Sequence, residues 1–97
     1  MPKLITAILP KGKIRKIMPI IKKAGIFGAT VLSGKGLCAK EGMRTLNHKA
    51  GSTREILILA TLDINKNKLI RLLAEHGKIK EPGGGVIFVM DICQAIG

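Results

Sequence analysis

The sequence predicts an α+β fold, the ferredoxin-like βαββαβ sandwich, in which a four-stranded antiparallel sheet carries two helices on one face. Two observations carry this expectation. Apolar runs of strand length and segments of helical periodicity follow one another as strand, helix, strand, strand, helix, strand. A long stretch without periodicity then divides the chain into two βαβ halves, and two such units sharing a sheet give this sandwich. At 97 residues the chain is read as one domain, residues 1–97, large enough for a single core but thin in buried surface.

Leu4 to Leu9 is a run of strand length, closed by Pro10 and Gly12. Ile14, Ile17, Met18, Ile21 and Ala24 then recur at the spacing of one helix face, with basic residues on the other. Pro19 falls inside this helix and predicts a kink, at roughly 3 kcal/mol in an ideal interior. Gly25 is expected to close it as the left-handed residue. Ala29 to Leu32 reads as a short second strand. Between Ser33 and Thr53 the pattern dissolves into polar and small residues, and about twenty aperiodic residues in a small domain point to a functional loop, set at about 36–53. Arg54 to Leu62 is the third strand. Asp63 or Asn65 is expected to cap a second helix, with Leu69, Ile70, Leu72 and Leu73 inward and Gly77 at its end. A glycine loop leads to a last strand, Val86 to Met90, and Asp91 to Gly97 is a tail.

Composition narrows the class. Apolar residues make up 46% of the chain, which excludes disorder, and the aromatics are Phe27 and Phe88, so the core must be Ile, Leu and Val. No apolar run approaches the ~20 residues that cross a bilayer, and no secretory signal precedes the first strand, so no membrane insertion is expected. Cys38 and Cys93 have no metal or disulfide spacing, which fits a reducing cytoplasm. The net charge of +11 suits a solvated face, and also draws anionic ligands or nucleic acid. The third and fourth strands are apolar on both sides. A sheet face meeting water has no reason for this, so another copy is expected to cover it.

The stretch Gly77 to Met90 carries the most chemistry. Gly83, Gly84 and Gly85 can turn their N–H groups toward one point because no Cβ forbids the φ values required. With Lys78 and Lys80 beside them, the natural occupant is a small anion such as a phosphate; the plain alternative is a turn. Nothing predicts an enzyme. There are no paired carboxylates and no nucleophile beside a histidine. His76 reads as cap chemistry at a helix end, and His48 sits alone in the long loop. Cys38, flanked by glycine and near Lys35 and Lys40, is read as a small buried hydrophobe, with a reactive thiolate as the alternative. Six scattered acids argue against a metal centre. An RNA-binding ferredoxin-like module is the rival reading. It needs aromatic rings on its central strands to stack bases, and neither Leu4–Leu9 nor Arg54–Leu62 has one, which counts against nucleic acid. An acylphosphatase-like enzyme would need an arginine-bearing phosphate loop after the first strand, and Pro10-Lys11-Gly12-Lys13 lacks it.

Three stretches resemble the PII family of signal transduction proteins, also called nitrogen regulatory protein P-II. They are Lys3 to Pro10; Gly25-Ile26-Phe27-Gly28-Ala29-Thr30-Val31 with Lys35-Gly36; and Gly77-Lys78-Ile79 through Gly85 with Ile87-Phe88-Val89 and Asp91. The resemblance implies a cytoplasmic homotrimer with clefts between subunits that take ATP, ADP or AMP, no tightly bound cofactor, and a long loop (the T-loop) that signals to a target protein. By position, Thr30 would meet the adenine region, Gly36, Leu37, Cys38 and Lys40 would form the loop base over the ligand, and Lys78, Lys80 and Gly83 to Gly85 would face the phosphates. The chain departs from the family at Val86, where a lysine is usual, and at Lys40, where a glutamine linked to 2-oxoglutarate and Mg²⁺ is usual. It ends before the arginines that close the family's cleft. It has no tyrosine to be uridylylated. These departures point to a Mg-free nucleotide or another small anion.

Overall fold

The structure, a computed structural model, describes residues 1–36, 52–81 and 84–97. Its elements run β1 (Lys3–Pro10), α1 (Lys13–Lys22), β2 (Ile26–Gly36), β3 (Ser52–Thr61), α2 (Asp63–Gly77) and β4 (Val86–Asp91). One antiparallel sheet holds all four strands in the order β2-β3-β1-β4. This is the ferredoxin-like arrangement expected from the sequence.

Strand alternation sorts the side chains into two layers. Ile5, Ala7 and Leu9 of β1 and Leu57 and Leu59 of β3 are buried against Ile14, Ile17 and Ile21 of α1 and Leu69 and Leu73 of α2. That layer is the core. Among the described residues the opposite face carries no helix. Directly paired residues share a face, so three rows cross it from β2 to β4. They are Gly28, Ala60, Leu4 and Met90; then Thr30, Ile58, Thr6 and Phe88; then Leu32, Ile56, Ile8 and Val86. Leu32, Val86, Phe88 and Met90 are exposed there.

The second strand is longer than its composition suggests, eleven residues against the four from Ala29 to Leu32. Gly28, Gly34 and Gly36 read as breaks, yet β3 pairs alongside them as far as Gly36 opposite Ser52. Tertiary pairing outweighs local propensity here.

The helix ends also differ from expectation. Neither helix has a side-chain cap on its own first turn. Ahead of α1, Gly12 adopts φ 91° and its N–H donates to the Glu55 carboxylate at 2.8 Å, so β3 supplies the acceptor that the helix sequence lacks. Leu62, not Asp63 or Asn65, holds the cap position of α2, and Asp63 is its first helical residue, where an acid favours the helix dipole. The Asn65 amide instead donates to the Gly25 carbonyl at 3.4 Å, which also accepts from the buried Thr61 hydroxyl at 2.6 Å. Gly25 has φ 89°, and a Cβ there would lie 2.6 Å from Asn65 Nδ2, so glycine is required at this turn. α1 continues through Pro19, which lies on its exposed side.

Lys3 joins three elements. Its ammonium donates a hydrogen bond to Asp91, its partner in β4 register, and lies 3.5 Å from Asp63 at the start of α2. Lys66 meets the same Asp63 at 3.6 Å. The hydrogen bond with Asp91 holds the Lys3 amine above its ordinary range, and the same bond holds the Asp91 carboxyl below its own.

Candidate ligand site

The turn from α2 to β4 is built on glycine and one unusual lysine. α2 ends at Gly77, which is buried because Leu9 packs against it. The left-handed residue is the next one, Lys78, at φ 53° and ψ 49°. Glycine is the usual occupant of that position. The Ile79 N–H returns to the Ala74 carbonyl at 3.2 Å in the manner of a Schellman motif, and Ile79 packs against the core. The Glu81 N–H then donates to the Lys78 carbonyl at 3.0 Å, and the Gly84 N–H to the Glu81 carbonyl at 2.9 Å.

Two of the three glycines therefore have reasons of their own. A Cβ on Gly84 would overlap the Lys78 carbonyl oxygen. One on Gly85, whose φ is 116°, would overlap the Ile8 carbonyl oxygen of β1. The Gly84 N–H is already committed inside the turn. Among the described residues of this turn, those that could meet an anion are the exposed side chains of Lys78 and Lys80, beside a backbone with no room for a Cβ at Gly84 or Gly85.

The remaining expected site residues lie across the sheet. Thr30 is exposed on the open face of β2, opposite Ile58, and Gly36 ends that strand opposite Ser52. Nearby, the Lys35 ammonium donates to the Thr53 hydroxyl at 3.0 Å, tying the two strands where the long loop leaves and returns. Leu37, Cys38, Lys40, His48 and Gly83 lie outside the described residues. β2 and β4 are the two edges of the sheet, with β3 and β1 between them. At the usual strand spacing that sets Thr30 and the glycine turn at least ~14 Å apart across one chain. A single chain does not bring them together.

Other groups stand apart. His76 is exposed in the last turn of α2, and Cys93 is an exposed thiol beyond β4. Among the described residues no group of three or more His, Cys, Asp or Glu side chains is placed to hold a metal ion. Among them, too, no helix is long and apolar enough to cross a membrane. Sequence reading missed the Lys3–Asp91–Asp63 cluster and the Glu55 acceptor. The one available signal for the first was a lone lysine opening a strand and a lone aspartate closing another. The second depends on β3 lying beside Gly12, which no local pattern reports.

The fold and this division define the class: a ferredoxin-like α+β domain whose sheet is apolar on its uncovered face and whose lysine-flanked glycine turn is remote from the other expected ligand residues. Residues 2–97 match the family model described as Nitrogen regulatory protein P-II. The chain belongs to that family and is a PII-like regulatory signalling protein. No individual curated protein matches the sequence at a significant level.

Proposed function

We propose that the protein is a cytoplasmic homotrimeric sensor. It binds an adenine nucleotide, or a similar small anion, in clefts between subunits, and signals to a target protein through the loop between β2 and β3. The observation that carries this reading is the separation of Thr30 from the glycine turn on opposite edges of one sheet. A cleft formed where the β2 edge of one copy meets the β4 edge of the next reunites them. The apolar rows of the open face supply the driving force for that assembly, at roughly 25 cal/mol per Å² of apolar surface removed from water.

In such a cleft Lys78 and Lys80 attract and orient the phosphates, and the rigid glycine turn lets the ligand approach the backbone closely. Thr30 offers a hydroxyl to the base. Lys40 adds a positive charge at the loop base, which favours a ligand free of Mg²⁺ over a metal-bound one. Occupancy is read out where the Lys35–Thr53 bond fastens the loop's two ends. The role assigned is regulation, with no catalytic step and no part in nucleic-acid base recognition.

Calorimetric titration with ATP, ADP, AMP and 2-oxoglutarate tests this. Binding below the millimolar range is expected for at least one nucleotide, weakened by Lys78→Ala combined with Lys80→Ala. Absence of any such binding would remove the sensor role, and unchanged affinity in the double variant would place the ligand elsewhere.

A further inference from the structure

The first 40 residues contain no acidic residue, and six bases fall between Lys11 and Lys23. The fold gathers them. Ile14, Ile17 and Ile21 bury the inner side of α1, which leaves Arg15, Lys16, Pro19, Lys22 and Lys23 on an exposed outer stripe that Lys11 begins. None of these bases takes part in an ion pair among the described residues. Lys68 and Arg71, exposed on the adjacent α2, add charge to the same helical layer, partly offset by the exposed Glu75 one turn from Arg71. At 1.5 Å per residue its helical part, Arg15 to Lys22, extends about 10 Å, and Lys11 and Lys23 lengthen it at either end.

We infer that this stripe is a docking surface for the phosphate backbone of double-stranded nucleic acid, engaged without regard to base sequence. Four features favour that occupant. Along α1 itself every charge is positive, and none is ion-paired among the described residues, as counterion-releasing binding requires. Pro19 is the one exposed apolar side chain of α1, and Met18 and Ile20 beside it are half-buried, so the stripe has little to insert into a bilayer. Protein interfaces are rich in aromatics and poor in lysine at their centres, the reverse of this surface. The stripe also has no ring to stack unpaired bases, so a stiff, regularly charged duplex fits it better than a single strand. The lack of aromatics on β1 and β3, which disfavours base recognition by the sheet, has no bearing on how a helix meets a phosphate backbone. The stripe acts independently of the nucleotide cleft.

The test is fluorescence anisotropy of a labelled mixed-sequence duplex of about 20 base pairs. The protein is titrated as wild type and as the triple variant Lys16→Glu, Lys22→Glu, Lys23→Glu. A triple Lys→Gln set covers the case in which charge reversal prevents folding, and a triple Lys→Arg set keeps the charge. Wild type and the Arg set should bind with strong salt dependence. The Glu or Gln set should bind at least 10-fold more weakly, and its salt slope should flatten by about 0.9 for each phosphate no longer neutralised. Failure of the wild type to bind duplex, or binding by the Glu and Gln variants as tight as that of the wild type, overturns the inference. So does competition by polyglutamate, by single-stranded DNA or by phosphatidylserine vesicles as effective as that by unlabelled duplex.

Discussion

Lys78 is a lysine in a conformation that suits glycine. For a residue with a Cβ the left-handed region costs roughly 1–2 kcal/mol, and glycine in its place loses part of that gain to its freer unfolded chain. Lys78→Gly should therefore raise stability by about 0.5–1 kcal/mol in urea unfolding, while lowering nucleotide affinity. Stability that stays level or falls would show that the side chain anchors the turn rather than serving a ligand. The sequence shows Lys78 beside the glycines and so indicates its neighbourhood correctly. It does not show that the left-handed residue falls one position after Gly77, because that depends on Leu9 packing onto Gly77. The reading of Gly83 to Gly85 as a cradle has the same limit. Gly84 and Gly85 are fixed by the Lys78 and Ile8 carbonyls, one within the turn and one from β1, and only the second approach is invisible to local pattern.

Among the elements, β1, α2 and β4 meet at Lys3. The pH dependence of that junction follows from the two shifts. Asp91 titrates below its ordinary value of 3.8, so its share of stability is present above that value and is lost as pH falls through the folded one. Lys3 titrates above 10.5, so its share is complete below that value and is lost as pH rises through the folded one. Between those limits the junction is intact. Thermal unfolding of Asp91→Asn should thus sit below wild type at neutral pH and converge with it under strongly acid conditions. A constant offset at every pH would mean the carboxylate charge contributes nothing. Element order, and the inward residues of both helices, were legible because 3.6-residue and strand-length apolar patterns are local. The length of β2 was not, because glycine-rich strand is sustained by its neighbour β3 rather than by its own residues.

For the whole molecule the uncovered sheet face decides the outcome. Ile58 lies in its middle row, between Thr30 and Thr6. Ile58→Glu should leave the monomer folded, since the side chain is outside the core, yet abolish assembly by placing a charge at the centre of an apolar interface. Sedimentation should show a single subunit for the variant and a larger species for wild type. A wild-type chain that sediments as a single subunit when dilute would leave the apolar rows without explanation.

Thr30 and the glycine turn lie at opposite sheet edges, so in the proposed assembly each binding cleft would be a joint product of two polypeptides. Two damaged chains, one altered only at Thr30 and the other only at Lys78 and Lys80, should therefore complement each other. After co-refolding in equal amounts, about one cleft in four would draw both halves from undamaged parts, as head-to-tail pairing in a closed ring requires. Nucleotide binding recovered from a mixture of two inactive proteins would be direct evidence of shared ownership, and its absence would assign the whole pocket to a single chain.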